Sequence, residues 1–291
     1  MTDAHDWHAE ISVIVLTHNR RDTLRQTLQR LQRLPERPRI AVVDNGSTDG
    51  TGAMLAAEFP TVTILRSGAN LGAAGRNLGA AWATTPYVAF CDDDCWWHPG
   101  SLQRACELFD AYPHVASLTA RIEVQPAGFE DPASTLMAHS PLPSDGLPGR
   151  AILGLMAGAT AFRRAAFRAA GGYDPRFFIG GEETTLALKL ADAGWAMVYA
   201  PDLLVHHQPS ALRDAAARRV LLARNAVWST WLCLPARMAI ADTLRAIPTL
   251  VRETDIAGWC DLLRGMTWVL RERRVVSPPV VQALRRVRGQ R

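Results

Sequence analysis

Three carboxylates stand side by side in Asp92-Asp93-Asp94, directly after the apolar run Tyr87-Val88-Ala89-Phe90-Cys91. Adjacent negative charges repel, and a low-dielectric strand end raises that cost, so something cationic should offset it. Alternate residues of an extended segment face the same way, which would turn Asp92 and Asp94 to one side. Oxygen ligands of this kind suit a hard cation, Mg²⁺ or Mn²⁺, which would also hold the phosphates of a nucleotide. A lone acidic triplet is more often a solvated turn, by about two to one. The strand before this one and Trp96-Trp97 after it argue against solvation and for the cation.

Other polar clusters carry weaker signals. Asp44-Asn45-Gly46-Ser47-Thr48-Asp49 follows a second apolar run. A carboxylate and amides there can accept hydrogen bonds from a base or ribose, with Gly46 letting the backbone approach. Alone, the same residues describe an ordinary turn with a helix cap. Asn70 to Gly79 reads either as a tightly packed helix start or as a site where Arg76 aims at phosphate. Glu182-Glu183 reads by itself as a helix start, where acidic side chains favour the positive end of the dipole. Cys91 and Cys95 flank the triplet without a second pair for zinc and read as small buried residues. Trp96 and Trp97 line an acceptor cleft or pack beneath its rim, with equal weight.

The elements that must position these groups follow from the apolar pattern. Ile11 to Leu16 and Ile40 to Val43 are unbroken apolar runs, as expected of strands buried on both faces. Between them Leu24, Leu28 and Leu31 repeat at helical spacing, with Asp22 or Asn19 as the cap and Pro35 and Pro38 beyond the end. A helix over 50–58, a strand over 62–65, a helix over 72–83 and a strand over 87–91 continue the alternation. Such alternation predicts an α/β fold, Rossmann-like, with a mainly parallel sheet flanked by helices. Its ligands belong beyond the carboxyl ends of the strands, where the polar clusters fall. Further on, the pattern predicts a helix over 101–111 and a strand over 115–124. A Pro/Gly/Ser-rich loop over 125–150, a strand over 153–163 and a helix over 182–193 follow. Beyond His207 the chain reads as helical to its end.

Of 291 residues 48% are apolar and 21% charged, an ordinary balance with enough apolar material for a core. The first ten residues are polar, so no signal peptide is expected, and no apolar run is long enough for a spanning helix. Five cysteines without a repeating spacing do not make a disulfide framework, so the cytoplasm is the default location. The net charge of +4 hides an asymmetry. Residues 211–291 hold fifteen Arg and six acidic residues, leaving 17 basic and 22 acidic residues upstream. A basic tail usually solvates, but it can favour anionic surfaces. Residues 220–234, with Trp228, Trp231, Arg218, Arg219 and Arg224, read as a helix packed on the main domain. Peripheral membrane contact through these basic helices is the minority reading, about one in three.

The order of the motifs is more telling than any one of them. Val13-Ile14-Val15-Leu16-Thr17-His18-Asn19-Arg20 comes first, then Val42-Val43-Asp44-Asn45-Gly46-Ser47-Thr48-Asp49-Gly50-Thr51. The Asn70 to Gly79 segment and Asp92-Asp93-Asp94 follow. Then come Gly171-Gly172-Tyr173-Asp174-Pro175-Arg176-Phe177-Phe178, Gly180-Gly181-Glu182-Glu183 and Val205-His206-His207. The series resembles family 2 glycosyltransferases of the GT-A fold, inverting and rhamnosyltransferase-like, over roughly 10–210.

The resemblance implies a GT-A catalytic domain over 1–210, with a donor half over about 10–99 and an acceptor half over about 100–210. Residues 211–291 form a basic helical C-terminal region. It implies that Asp44 contacts a nucleotide base, with Asn45, Thr17, Asn19 and Arg20 near it, and that Arg76 helps hold base or phosphate. Asp92, with Asp93 beside it, reaches the ribose or the metal. Asp94 ligates the Mg²⁺ or Mn²⁺ that bridges the diphosphate. A His completes the metal shell, and spacing from Pro201 favours His207 over His206. Family members usually read Glu-Asp-x-Asp where this chain has Glu182-Glu183-Thr184-Thr185. Glu183 therefore takes the place of the catalytic base with one extra methylene, Glu182 beside it. The implied partners are a nucleotide-sugar donor, UDP- or dTDP-linked, and a glycan, lipid-linked or small-molecule acceptor, with no nucleic acid. The rival readings are a catalytically silent nucleotide-sugar-binding module and, less well supported, a sugar nucleotidyltransferase. The latter would show a Gly-rich basic loop where Thr17-His18-Asn19 stands.

Overall fold

A computed structural model describes residues 10–209, 215–254 and 256–289. The expected strands form where apolar, β-branched residues run unbroken. Strands β1 (Ile11–Thr17), β2 (Arg39–Asp44), β3 (Thr63–Arg66) and β4 (Tyr87–Asp92) pair in parallel in the order β3-β2-β1-β4. The register sets Thr17 opposite Asp44 and Leu16 opposite Asp92, so the first polar clusters emerge together at one sheet edge.

The second half of the sheet departs from the mainly parallel expectation. Strands β5 (Cys95–Trp97), β6 (Val115–Val124), β7 (Phe129–Glu130), β8 (Arg150–Ala151), β9 (Thr160–Arg163) and β10 (Ala196–His207) extend the path as β4-β9-β6-β10-β5. Among the described residues only β6 and β10 are parallel there; β9 runs antiparallel to both β4 and β6, and β5 runs antiparallel to β10. The sheet is thus mixed, and β10 carries His207 back to the acidic turn through the pairing of His207 with Cys95.

Helices cover both faces. One core joins β1 residues Ile11, Val13 and Val15 to α1 (Arg21–Leu31), α2 (Thr51–Glu58) and α4 (Ser101–Ala111) through Leu24, Leu28, Met54 and Phe109. On the other face Ile14 and Phe90 meet α3 (Arg76–Trp82), α6 (Arg164–Ala169) and α7 (Glu182–Asp192). The alternation of β1 between the two cores is the period of two expected of a strand buried on both sides.

Three sequence expectations are corrected locally. Neither Asn19 nor Asp22 caps α1, whose cap position is Arg20 without a side-chain cap bond. The strand expected over 153–163 is confined to β9, preceded by a 3₁₀ turn, Ala157–Ala159. Gly158 explains the break: a Cβ there would sit 2.7 Å from Asp92 Oδ2, so the backbone lies against that carboxylate instead of extending. The loop over 125–150 carries β7, β8 and a short helix, α5 (Pro132–Ala138), which Asp131 caps by accepting from the Ala133 amide at 2.8 Å.

The C-terminal residues form α8 (Ala215–Cys233), α9 (Ala236–Glu253), α10 (Ile256–Arg271) and α11 (Pro278–Gly289). They pack on the α/β part through one shared core. Phe177 and Leu188 meet Trp228, Val269, Val281 and Leu284 there. Among the described residues no helix is long and apolar enough to cross a membrane.

Candidate active site

A cleft of about 470 Å³ opens at the carboxyl ends of β1 and β4. Thr17, Arg20, Asn45, Arg76, Asp92, Asp93, Asp94, Glu182, Glu183 and His207 all line it. Asn19 and Asp44 stand outside the lining. Asn19, in the left-handed region at φ 53°, accepts from the Thr48 amide at 2.7 Å and so holds the turn after β2. Asp44 is buried and accepts from the Ser47 amide at 2.9 Å. Asn45 is equally engaged: its amide donates to Asn70 and Gly72 and accepts from Leu71. These three residues fix the shape of the two turns that wall the cleft.

The acidic triplet ends β4 in a turn, not in an extended segment, which undoes the expected pairing of Asp92 with Asp94. Asp93 and Asp94 are buried and share one guanidinium: Arg20 Nη1 lies 3.1 Å from each carboxylate. Thr17 Oγ1 also donates to Asp93 at 2.9 Å. Asp92 turns toward the buried Arg76, with which it forms an ion pair. Burial and the neighbouring Asp94 outweigh the pull of Arg20 and push the Asp93 carboxyl up to about 7. Burial works against the Arg76 charge, yet Asp92, Tyr173 and Glu183 hold its pKa above the ordinary value.

His207 faces the turn from β10, its Nε2 3.7 Å from Asp94 Oδ1. With Cys95 Sγ these atoms lie within 4.8 Å of one another, a group that could hold a metal ion. The donor chemistry fits a hard or borderline divalent ion through the oxygen of Asp94 and the nitrogen of His207. Burial holds the Cys95 thiol well above its usual range, so it stays protonated beside that pair. His206 points elsewhere: it lies against His98, Gln125 and Glu123 and stacks on Trp96. Trp97 is wholly buried and Trp96 lies under the Arg30 guanidinium, so both tryptophans pack beneath the rim and neither lines the cleft.

Opposite the turn, the first residues of α7 present the two glutamates. Glu183 Oε1 accepts from the Ala157 amide at 2.6 Å, which fixes its carboxylate against the 3₁₀ turn. Burial, followed by the charge of Glu182, pushes Glu183 up to about 7. Glu182 is 3% exposed, and burial raises its pKa as well. Its Oε2 has no hydrogen-bond partner among the described residues. Thr185 is a buried helix residue, donating to the Glu182 carbonyl at 3.0 Å.

The glycines bring these walls together. Gly79 backs onto Ile14 and Gly75 onto Leu16, so the small residues of 70–79 serve close helix–sheet packing, while Arg76 between them reaches the cleft. Gly72 backs onto the Phe178 carbonyl, which accepts from the Ala73 amide at 2.7 Å.

The sequence reading missed Asn225 of α8. Its buried Nδ2 donates to the carbonyls of Phe177, Ile179 and Gly180 at 2.7, 3.0 and 2.5 Å, gripping the loop that leads into Glu182-Glu183. A lone Asn in a helical pattern carries no signal that would have found it. Arg218 and Leu222 of the same helix line the cleft edge.

The model of the family described as "Glycosyl transferase family 2" matches residues 12–171. The chain belongs to that family. It is 29% identical over 245 residues to the N-acetylglucosaminyl-diphospho-decaprenol L-rhamnosyltransferase of Mycobacterium tuberculosis, covering 71% of this chain and 79% of that one. It is 31% identical over 266 residues to the pre-mycofactocin glycosyltransferase of the same organism, covering 87% of this chain and about half, 52%, of the relative. Among solved structures it resembles a mannosyltransferase from Pyrobaculum calidifontis in complex with GDP-Man and Mn²⁺. The TM-score is 0.60 at 19% identity, covering 99% and 88% of the two chains. The chain is therefore a glycosyltransferase with a GT-A fold and a helical C-terminal extension.

Proposed function

We propose that this glycosyltransferase moves a sugar from a nucleotide diphosphate donor, UDP- or dTDP-linked, to an acceptor hydroxyl with inversion at the anomeric carbon. The observation that carries the reading is the meeting of two kinds of group across one cleft. A cation-rich acidic turn, Arg20, Arg76 and Asp92 to Asp94, stands on one side and a fixed carboxylate with a raised pKa, Glu183, on the other. The first suits a diphosphate and the second suits a proton acceptor.

In this reading the base and ribose of the donor lie over the ends of β1 and β2, near Thr17, Asn19, Asp44 and Asn45. Arg76 and Arg20 face the diphosphate. Glu183 takes the acceptor hydroxyl's proton as that oxygen bonds to the anomeric carbon and the bond from that carbon to the diphosphate oxygen breaks. The charge released with the nucleotide diphosphate falls beside Arg76 and Arg20. Glu182 keeps the site acidic and raises the affinity of Glu183 for the proton. A Mg²⁺ or Mn²⁺ held by Asp94 and His207, with Asp92 nearby, would supply further charge neutralisation at the diphosphate.

For the acceptor, a lipid-linked glycan is the preferred class. The rhamnosyltransferase relative is named for a diphospho-decaprenol acceptor, and Arg218 and Leu222 give this cleft a cationic and apolar edge. The experiment is a panel of nucleotide sugars with Mn²⁺, Mg²⁺ or EDTA, scored by thermal shift and by release of nucleotide diphosphate. Stabilisation by one nucleotide family with slow release is the expected result. No stabilisation by any nucleotide, with or without metal, would overturn the donor-site assignment.

A further inference from the structure

Helix α9 carries a surface that the cleft does not use. Ile240, Leu244, Ile247 and Val251 follow one another at i, i+4, i+7 and i+11, the spacing of a single helical face. That face is turned outward: the four side chains are 50%, 61%, 38% and 66% exposed. A neighbouring face of the helix, roughly 100° round by the α-helical period, is used in packing, with Ala246 and Leu250 in a core with Val227 and Leu262. The next helix repeats the pattern, with Ile256, Leu263 and Leu270 exposed at intervals of seven. Scattered exposed apolar residues need no explanation, but continuous stripes on two successive helices do.

Cations border the stripe. On a helical projection Arg237, Arg245 and Arg252 fall along one edge of the α9 face, and all three are exposed. Arg237 and Arg245 also line a cleft of about 540 Å³ between α9 and α11, with Arg285 and Arg288. Among the described residues Asp242 is the one acidic residue lining it; it pairs with Arg245 and Arg288, and Arg237 and Arg285 have no ion-pair partner there. A cleft lined by four guanidiniums and one carboxylate is built for an anion, and its edge is continuous with an apolar stripe.

We propose that α9, with the arginine cleft at its start, docks the chain on an anionic phospholipid bilayer, the stripe entering the acyl boundary and the arginines taking headgroup phosphates. An interfacial helix requires this combination of a large apolar face and flanking arginines, and a bilayer with anionic lipid is the one partner that complements both. The placement differs from the one expected from sequence. Trp228 of α8 is in the core and donates to the Leu262 carbonyl, and Arg224 pairs with Asp261, so the membrane-facing groups lie one helix further on. The orientation is also apt. Arg219 pairs with Glu253 at 2.7 Å, which sets the Val251 end of the stripe beside the start of α8, where Arg218 and Leu222 edge the active-site cleft. The docking face thus runs toward the mouth of the cleft. It concerns where the enzyme sits, and does not depend on which acceptor it uses.

The test is flotation of the full chain with vesicles of phosphatidylcholine alone, or with about a third phosphatidylglycerol. The expected result is flotation with the anionic vesicles only, weakened by salt. Leu244→Asp/Val251→Asp and, separately, Arg237→Glu/Arg285→Glu should each reduce it by about tenfold or more. The nucleotide-sugar thermal shift should stay unchanged in both, since none of these residues lines the active-site cleft, and that readout also verifies folding. Absence of flotation, equal flotation on neutral vesicles, or full flotation of folded variants would overturn the proposal. So would a dimer in sedimentation that the Leu244→Asp/Val251→Asp variant dissociates, because a second copy would then cover the stripe.

Discussion

At Glu183 two physical effects oppose each other. The first turn of α7 favours a negative charge by about 0.3–1 kcal/mol through the helix dipole, and the Ala157 amide donates to the carboxylate. Burial and the adjacent Glu182 nevertheless win, raising the carboxyl from its usual 4.5 to about 7. A proton acceptor with that affinity is half-ionised near neutrality, so kcat/KM should rise with pH through about 7 and level off above it. The same shift affects stability with a definite sign. Between about 4.5 and about 7 the unfolded chain loses this proton while the folded chain keeps it, so stability should fall with rising pH across that window and flatten above it. The Glu183 share of the fall should be about 3 kcal/mol, measured as urea midpoints against pH. Glu183→Gln should remove the Glu183 share of the fall, leaving the part due to the raised Asp93 and Glu182 carboxyls, and lower kcat by about 10²–10⁴-fold while donor affinity is retained. Unchanged turnover would place the base elsewhere. Asp94→Ala should abolish the difference in nucleotide affinity between Mn²⁺ and EDTA; a difference that persists would move the metal off Asp94 and His207. At this scale the sequence was informative about which side chains gather, because their types and order announce them. It put Asn45 and Asn19 beside a nucleotide base and was silent about the particular turn bonds their amides make, and about the sharing of Arg20 by Asp93 and Asp94.

Elements hold the site because small residues and one amide let them approach closely. Helix propensity alone says that Gly79→Ala, inside α3, should stabilise by up to about 1 kcal/mol. The packing argument gives the opposite sign: a Cβ at Gly79 would overlap the methyl of Ile14, a β-branched residue wedged in the sheet with no freedom to yield. Overpacking costs about 1–3 kcal/mol, so a net loss of Tm is expected, and a gain would show that α3 can move. Asn225 makes the corresponding argument for polar contacts. Removing its amide in Asn225→Ala would take a shared donor from the carbonyls of Phe177, Ile179 and Gly180, of which Phe177 keeps the Ile179 amide and Arg224, at about 1–3 kcal/mol. Because those carbonyls belong to the loop that aims Glu182-Glu183, kcat should fall while donor affinity stays near normal. An equal loss of both would mean that Asn225 supports only the fold. The parallel half of the sheet was legible from unbroken apolar runs. The mixed half was not, because β9 is four residues long and β10 is interrupted by exposed Pro201 and Asp202, so neither shows a clean period.

For the whole molecule, the question is whether residues 211–291 are an appendage. Their composition, fifteen Arg against six acidic residues, suggests a separate job, and the outward stripe of α9 agrees. Their packing suggests the reverse. Phe177 meets Trp228 and Trp268 edge to face, Arg176 stacks on Trp268 at 3.8 Å and pairs with Glu272, and Ser277 donates from its backbone to Asp192 of α7. Leu188, on α7 itself, is in the same core. Removing the helices would expose Phe177 and Leu188 and strip Asn225 from the active-site loop. Each fully buried side chain of this size contributes about 1.5–3 kcal/mol, so the loss is comparable with the whole stability of an ordinary domain. A chain ending at residue 210 should therefore be insoluble, or unfold without cooperativity, and should bind no donor. A truncated chain that is folded and still stabilised by a nucleotide sugar would make the helices a true appendage. It would also shift the weight of Asn225 from catalysis to attachment. If the truncation fails as expected, one helical unit serves two surfaces: its inner face holds the catalytic loop and its outer face meets the lipid.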